Sequence, residues 1–458
     1  MNRNAFYFFP AILAAGAVCF FTFSAQSKPP ALPVAAAPSE IPPELTGWLD
    51  GLSRESELTP LHRPLQASLQ AVRLLPLAPG SWVRLGDVLT ERSRQILDTS
   101  LYPRIERIYL QAHKLDRTDT TSLVGLAWAA GAAHRFDDSV AWALLALKTD
   151  PELPAAYGII GDAAVERGRY EEAALNYQRM LDLKPDLGSY SRAAHLLFLQ
   201  GEITEALSII RQALAAGGGE PARSAWCVAE LSMMLRSSGD FAASIEVADS
   251  WLKRAPNNVV LLNASGQAHL AAGDAAAAII ALEHAATQQP QHETLATLHD
   301  LYLAAGRTAE AGAMTARIEE LHARLRSQNI QGGEGELSRF YADSGIKLEE
   351  AVRFAEAERS HHLGAVAADT LAWAYFRAGR VGAARALVPE ILQSRHLPAS
   401  MLYHVALIEE AAGNTTEARA HLETALNREP HFNPVHAPLA RAALLRLTAS
   451  AAPLTVRR

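Results

Sequence analysis

The sequence predicts an all-α chain: a solenoid of about ten helix pairs, closed at each end by further helices. Three observations carry this. Pro151 and Pro185, and again Pro256 and Pro290, lie 34 residues apart at the ends of similar segments, and a fixed period of that length marks stacked helix-turn-helix units. Each segment repeats one arrangement of small, turn and large apolar residues. Composition agrees, because 49% hydrophobic residues, rich in Ala and Leu with only 7% aromatics, favour helix over strand.

In chain order, residues 1–27 come first. Arg3 precedes an uncharged stretch from Ala5 to Ser27, whose apolar part, 5–23, is long for a signal-peptide core and barely long enough to span a bilayer. Ala25-Gln26-Ser27 suits cleavage before Lys28, so a removed signal peptide and an uncleaved membrane anchor both stand; either exports the chain from Lys28 onward. Cys19 follows Val18, where lipid attachment needs a small residue. The exported part is expected in the periplasm or at the cell surface, touching membrane only through an uncleaved 5–23. Its one cysteine, Cys227, allows no internal disulfide and is expected to be buried and inert. Residues 28–43, with six prolines, read as a semi-rigid linker, and 44–85 as an N-terminal helical cap broken at "PLAPGSW".

The array is expected over 86–432. In 154–187, Gly161 and Ala173 let paired helices approach closely, Gly168 takes the turn, Tyr157 and Tyr177 fill the space between helices, and Pro185 ends the second helix. The pattern recurs at 120–153 (ending at Pro151), 225–258 (Pro256), 259–292 (Pro290) and 399–432 (Pro430), with looser copies starting near 86, 187, 292, 337 and 365. Glycine-rich 215–221 and 329–336 interrupt it as candidate hinges, and 433–458 reads as a C-terminal capping helix and tail.

Chemistry is scarce. A net charge of -7 without a basic block argues against nucleic acid. Gly161-Asp162 belongs to a repeat helix and no Gly-Lys-Ser or Gly-Lys-Thr comes after it, so it is not a phosphate loop. Zinc-protease, nucleophile-elbow, Cys-x-x-Cys and EF-hand motifs are all missing from the sequence, so no catalytic residue and no cofactor is expected. The 16 histidines form no three-ligand set by spacing, and no metal site is expected from them.

The 34-residue pattern resembles the tetratricopeptide repeat (TPR). "AAYGIIGDAAVERGRYEEAALNYQRMLDLKP", "DTLAWAYFRAGR" and "LYHVALIEEAAGNTTEARAHLETALNREP" are similar to segments of a widespread bacterial family of long, exported or membrane-linked TPR proteins without an established activity. The resemblance implies a right-handed α-solenoid that binds protein and is not an enzyme. It also implies that four positions of each first helix face the concave groove, the ninth giving Trp128, Asp162, His195, Met233, Gln267, Asp300 and Trp373, and the fifth including Asp369 and Tyr403. Lysine is missing from both positions, against a clamp for a terminal carboxylate, and the aromatics suit an apolar or extended polypeptide. The expected role is therefore an exported scaffold, in a setting such as envelope complex assembly. Two alternatives carry their own signatures: a periplasmic metal-binding accessory protein would cluster His292, His299 or His361 with a carboxylate, and an enzyme would show a closed polar pocket between cap and array.

Overall fold

A computed structural model describes residues 41–54, 61–327, 333–360 and 362–451. Residues 1–27, read above as a targeting segment, most of the expected linker, part of the candidate hinge 329–336, His361 and the end of the tail lie outside these residues.

Among the described residues every regular element is helical. Helices α1 (Pro43–Ser53) and α2 (His62–Leu74) precede ten pairs: α3 (Pro79–Ile96) with α4 (Tyr102–Leu115), α5 (Thr120–Ala132) with α6 (Phe136–Thr149), α7 (Pro154–Glu166) with α8 (Tyr170–Leu183), α9 (Leu187–Leu199) with α10 (Ile203–Ala216), and α11 (Pro221–Ser237) with α12 (Phe241–Leu252). Beyond them come α13 (Val259–Ala271) with α14 (Ala275–Gln288), α15 (His292–Ala304) with α16 (Thr308–Ser327), α17 (Glu334–Ser344) with α18 (Leu348–Arg359), α19 (Ala365–Arg377) with α20 (Val381–Ile391), and α21 (Ala399–Ala411) with α22 (Thr415–Arg428). The last helix, α23 (His436–Ala451), covers the final pair through Ala440, Ala443 and Leu447. The first pair starts at Pro79, seven residues before the expected boundary, because Pro79 opens a helix that runs unbroken to Ile96.

The repeat pattern has a visible cause. Tyr177 of α8 is 4% exposed and lies flat against Gly161 of α7, where an added Cβ would come within 2.5 Å of its ring. Tyr109 of α4 does the same to Gly86 and Gly125 on either side of it. Ala173 is fully buried, and Pro151, Pro185, Pro256, Pro290 and Pro430 each stand just past the second helix of a pair. Gly168 takes the α7–α8 turn at a φ of 69°, a left-handed value that costs glycine nothing; His134 holds the equivalent α5–α6 position at 57°. Tyr157 departs from expectation: it is half-exposed under the Arg179 guanidinium, its hydroxyl donating to Pro151 O at 3.0 Å.

The array curls until it meets itself. Gln291 Nε2 donates to Leu97 O at 2.9 Å and Arg236 pairs with Glu429 at 2.9 Å, contacts 194 and 193 residues apart. Phe198 meets His396 at 4.4 Å between rings, and His362 Nδ1 lies 3.6 Å from Glu166. At about 34 residues per repeat, a little under six repeats complete one turn. Leu97, at the end of α3, packs with Leu252, Val260 and Val259 of the next turn, an apolar seam beneath the polar contacts. The α10–α11 turn, with Gly218 and Gly219 at positive φ, is clasped by a hydrogen bond from the Arg254 guanidinium to Gly219 O.

Candidate functional site

Closure encloses a cleft of about 840 Å³ on the concave side. First helices supply most of its wall: His195 from α9, Arg236 from α11, Gln267 from α13, His292 and Asp300 from α15, Arg339 and Asp343 from α17, and His404 from α21. A first helix is flanked by its partner, the preceding pair and the following pair, so it buries apolar residues on most sides and keeps only a narrow strip for the lumen. In α13 Leu261, Leu262, Ala264, Ser265, Ala268 and Leu270 are all buried, and Gln267 faces the cleft.

The lining mixes ionisable groups with apolar ones such as Phe198, Leu270, Phe340 and Phe432. Seven of the 16 histidines line it, with seven carboxylates, two arginines and no lysine. Burial, with the neighbouring His322 and Arg339, pushes His292 down to about 3. His322, whose Nε2 lies 2.8 Å from His292 Nδ1, is pushed down to about 4, again chiefly by burial, so both rings are neutral. Partial desolvation inside the cleft, where Glu336 is still reached by solvent, together with the carboxylates of Glu293 and Glu358, lifts its carboxyl to about 7. His195 moves the other way: burial opposes its charge, but the Glu230 carboxylate 3.0 Å from Nδ1 prevails and raises it.

The expected groove residues divide. His195, Gln267 and Asp300 line the cleft; Gln267 donates to Thr297 Oγ1 at 3.1 Å, and Asp300 accepts from Asn433 at 2.7 Å and lies 2.8 Å from His299 Nδ1. Trp128 lines a smaller pocket beside Arg94, whose guanidinium lies 5.1 Å from its ring. Asp162 is engaged by Arg192 at 2.8 and 2.9 Å and by the Tyr177 hydroxyl at 2.8 Å. Met233 is partly buried against the α9–α12 core.

Trp373 and Tyr403 require correction. They are 1% and 3% exposed, within the core shared by α17, α19, α21 and α23, so neither offers area to a partner. Trp373 Nε1 donates to Asp343 at 2.7 Å while Phe376 and His404 stack against the indole. The Trp373 and Tyr403 rings are consumed by the neighbouring repeats, and the cleft is lined instead by histidines and carboxylates interspersed with Phe198, Phe340 and Phe432.

The sequence reading also missed residues. Arg339 escaped because its repeat was placed from 337; the other copies put their turn glycine 14 residues after the start, and Gly345 so read makes Arg339 the ninth position. Glu336, His404 and His436 have no signal in one repeat, since their partners come from other pairs. His292 does gather with His322 and Glu336, their ligand atoms within 4.8 Å of one another, and Asp343, His404 and His436 form a second such set. The cleft takes no residue from α1 or α2, so the enclosed space is not the cap–array pocket expected of an enzyme. Cys227 is fully buried, and burial pushes its thiol up to about 11, leaving it un-ionised.

The family model "Tetratricopeptide repeat" matches residues 124–188, 230–293 and 370–434. No curated protein matches the chain. Similar solved structures include a tetratricopeptide repeat protein of Parabacteroides merdae (15% identity over 57% of this chain and 98% of that one, TM-score 0.33). A TPR protein of Thermus thermophilus shows 20% identity over 42% of this chain and 100% of its own, with a TM-score of 0.38. Human IFIT1, solved with PPP-AAAA, shows 16% identity over 85% and 95%, with a TM-score of 0.42. Three separate matches to the repeat, falling on successive helix pairs with the glycine, alanine and proline positions described above, show that this chain is a tetratricopeptide repeat protein.

Proposed function

We propose that this protein is a non-enzymatic interaction scaffold that receives a cationic polypeptide segment in the lumen of its closed solenoid. The observation that carries the reading is the imbalance of charge on the cleft wall, seven carboxyl groups, of which Glu336 alone is held un-ionised up to about 7, against two arginines. Arg236 is already committed to Glu429, and Glu358 and Glu166 lie 3.3 and 3.6 Å from the ring nitrogens of His362, so arginines do not balance the acidic groups along the wall. Enclosure in a low-dielectric wall strengthens their field on a cation, and first helices set at a regular spacing offer side chains in register to an extended chain. Trp128, Met233, Trp373 and Tyr403, the anchors the sequence suggested for an apolar segment, do not line this cleft.

Residues 5–23 support an exported setting, with the array outside the cytoplasm and envelope complex assembly as the process it serves. Among the described residues no helix is long and apolar enough to cross a membrane.

The test is fluorescence anisotropy with three extended peptides of equal length, carrying lysines, glutamates or neither. Binding of the lysine peptide alone, weakening as salt is raised and about tenfold weaker in a Glu293→Gln/Glu358→Gln variant, is the expected outcome. Equal binding of all three peptides, or no effect of the double substitution, would refute it.

A further inference from the structure

We propose that Asp343, His404 and His436 form a binding site for a divalent transition-metal ion of the zinc class on the wall of the lumen. The three come from the last turn of α17, the middle of α21 and the first residue of α23, and all three line the cleft. His404 Nε2 lies 3.8 Å and His436 Nδ1 lies 3.9 Å from the same atom, Asp343 Oδ1. These gaps are too wide for direct hydrogen bonds. They suit donors that face a common ion.

With the three ligand atoms within 4.8 Å of one another, the point equidistant from them is about 2.5 Å or less from each. Zinc sits about 2.0–2.2 Å from nitrogen and oxygen ligands, so side-chain shifts of a few tenths of an ångström close the site.

The surroundings prepare each donor. Both oxygens of Asp369, which is fully buried, lie 3.0 and 3.1 Å from His404 Nδ1. A carboxylate behind one ring nitrogen fixes the tautomer, directs the other nitrogen at the ion and raises its basicity, the arrangement found behind metal-bound histidines. Trp373 stacks on His404 at 4.1 Å with the planes 10° apart, and Tyr403 stacks on His436 at 5.2 Å, so neither imidazole is free to turn away. Two imidazoles and one carboxylate favour zinc, cobalt, nickel or iron over magnesium or calcium. The side towards the cleft is left for water or for a donor from a bound partner.

The other gathering, His292 with His322 and Glu336, has weaker claims. Its two imidazoles already satisfy each other at 2.8 Å, and its carboxyl is held un-ionised up to about 7.

Metal-free full-length protein is titrated with Co²⁺, followed by its visible absorption, and then with Zn²⁺ in competition and by calorimetry. One saturable equivalent is expected, with a nitrogen and oxygen spectrum lacking thiolate bands, as the buried Cys227 requires. His436→Ala and Asp343→Asn should each weaken binding at least about tenfold, and Asp369→Asn about 10–100-fold. Asp343→Asn keeps an oxygen to accept from Trp373 Nε1, so with circular dichroism unchanged its loss reports ligation and not unfolding. His292→Ala should leave binding intact. Failure of either ion to bind saturably, binding unchanged in Asp343→Asn and His436→Ala, thiolate bands in the cobalt spectrum, or loss of the site in His292→Ala would each overturn the proposal.

Discussion

Replacing Gly161 with alanine tests the packing rule on which the whole array rests. Alanine in mid-helix is ordinarily worth about 0.5–1 kcal/mol over glycine. Here the new Cβ would stand 2.5 Å from Tyr177 Cδ1, where carbon atoms are comfortable only at about 3.5–4.0 Å. The ring has nowhere to go: its hydroxyl donates to Asp162, and Asp162 is gripped by Arg192. Overpacking of this kind costs about 1–3 kcal/mol. The net expectation for Gly161→Ala is therefore a loss of about 1 kcal/mol, between no change and roughly 2. In a Tyr177→Ala background the overlap vanishes and only the helix preference remains, so the same substitution should stabilise by about 0.5–1 kcal/mol. The change of sign is a coupling energy, obtained from a double-mutant cycle. Because a solenoid unfolds as neighbour-coupled units, the reading should come from native-state hydrogen exchange at the α7 and α8 amides. Gly161→Ala raising protection while Tyr177 is present would show that close approach is not what fixes the glycine.

Two further outcomes concern the core and the lumen. Trp373→Ala should cost about 3–5 kcal/mol as the loss of a fully buried indole, read as a lowered midpoint of thermal unfolding; unchanged stability with lost peptide binding would restore Trp373 to the binding surface. Glu336→Gln should be more stable than the parent above pH 7 and indistinguishable from it below about pH 4.5. The folded carboxyl, solvent-accessible but crowded in the cleft by Glu293 and Glu358 with Arg339 beside it and the neutral His292 and His322 nearby, stays protonated to about 7, whereas the unfolded one ionises near 4.5. Ionisation thus works against folding as pH rises between those values, and urea unfolding across that range measures it. A difference already present at pH 4 would sink the account.

Features whose partners lie within one repeat or in the next were legible in the sequence. Gly161 opposite Tyr177, Gly168 at its turn and Pro185 after the second helix are all contacts within about 25 residues, and their spacing records the packing directly. The register of the α17 repeat went astray where the glycine-rich 329–336 stretch breaks the period, and Arg339 went with it. Trp373 and Tyr403 were misread because position on a first helix does not say whether an aromatic reaches the lumen or the neighbouring pair; that depends on the rotation between pairs.

The sequence by itself determined the all-helical class, the helix pairs and the 34-residue period, because those arise from local propensity and from contacts between adjacent helices. Closure of the superhelix was decided only in the tertiary structure. A small rotation at each interface accumulates over about six repeats, and no single interface records whether the sum will bring Leu97 to Gln291 or leave them far apart. That sum also gathers residues as distant as His134 and His436 on the wall of one cleft. The Asp343, His404 and His436 set depends on the same accumulation, since its three donors belong to three different layers of the stack.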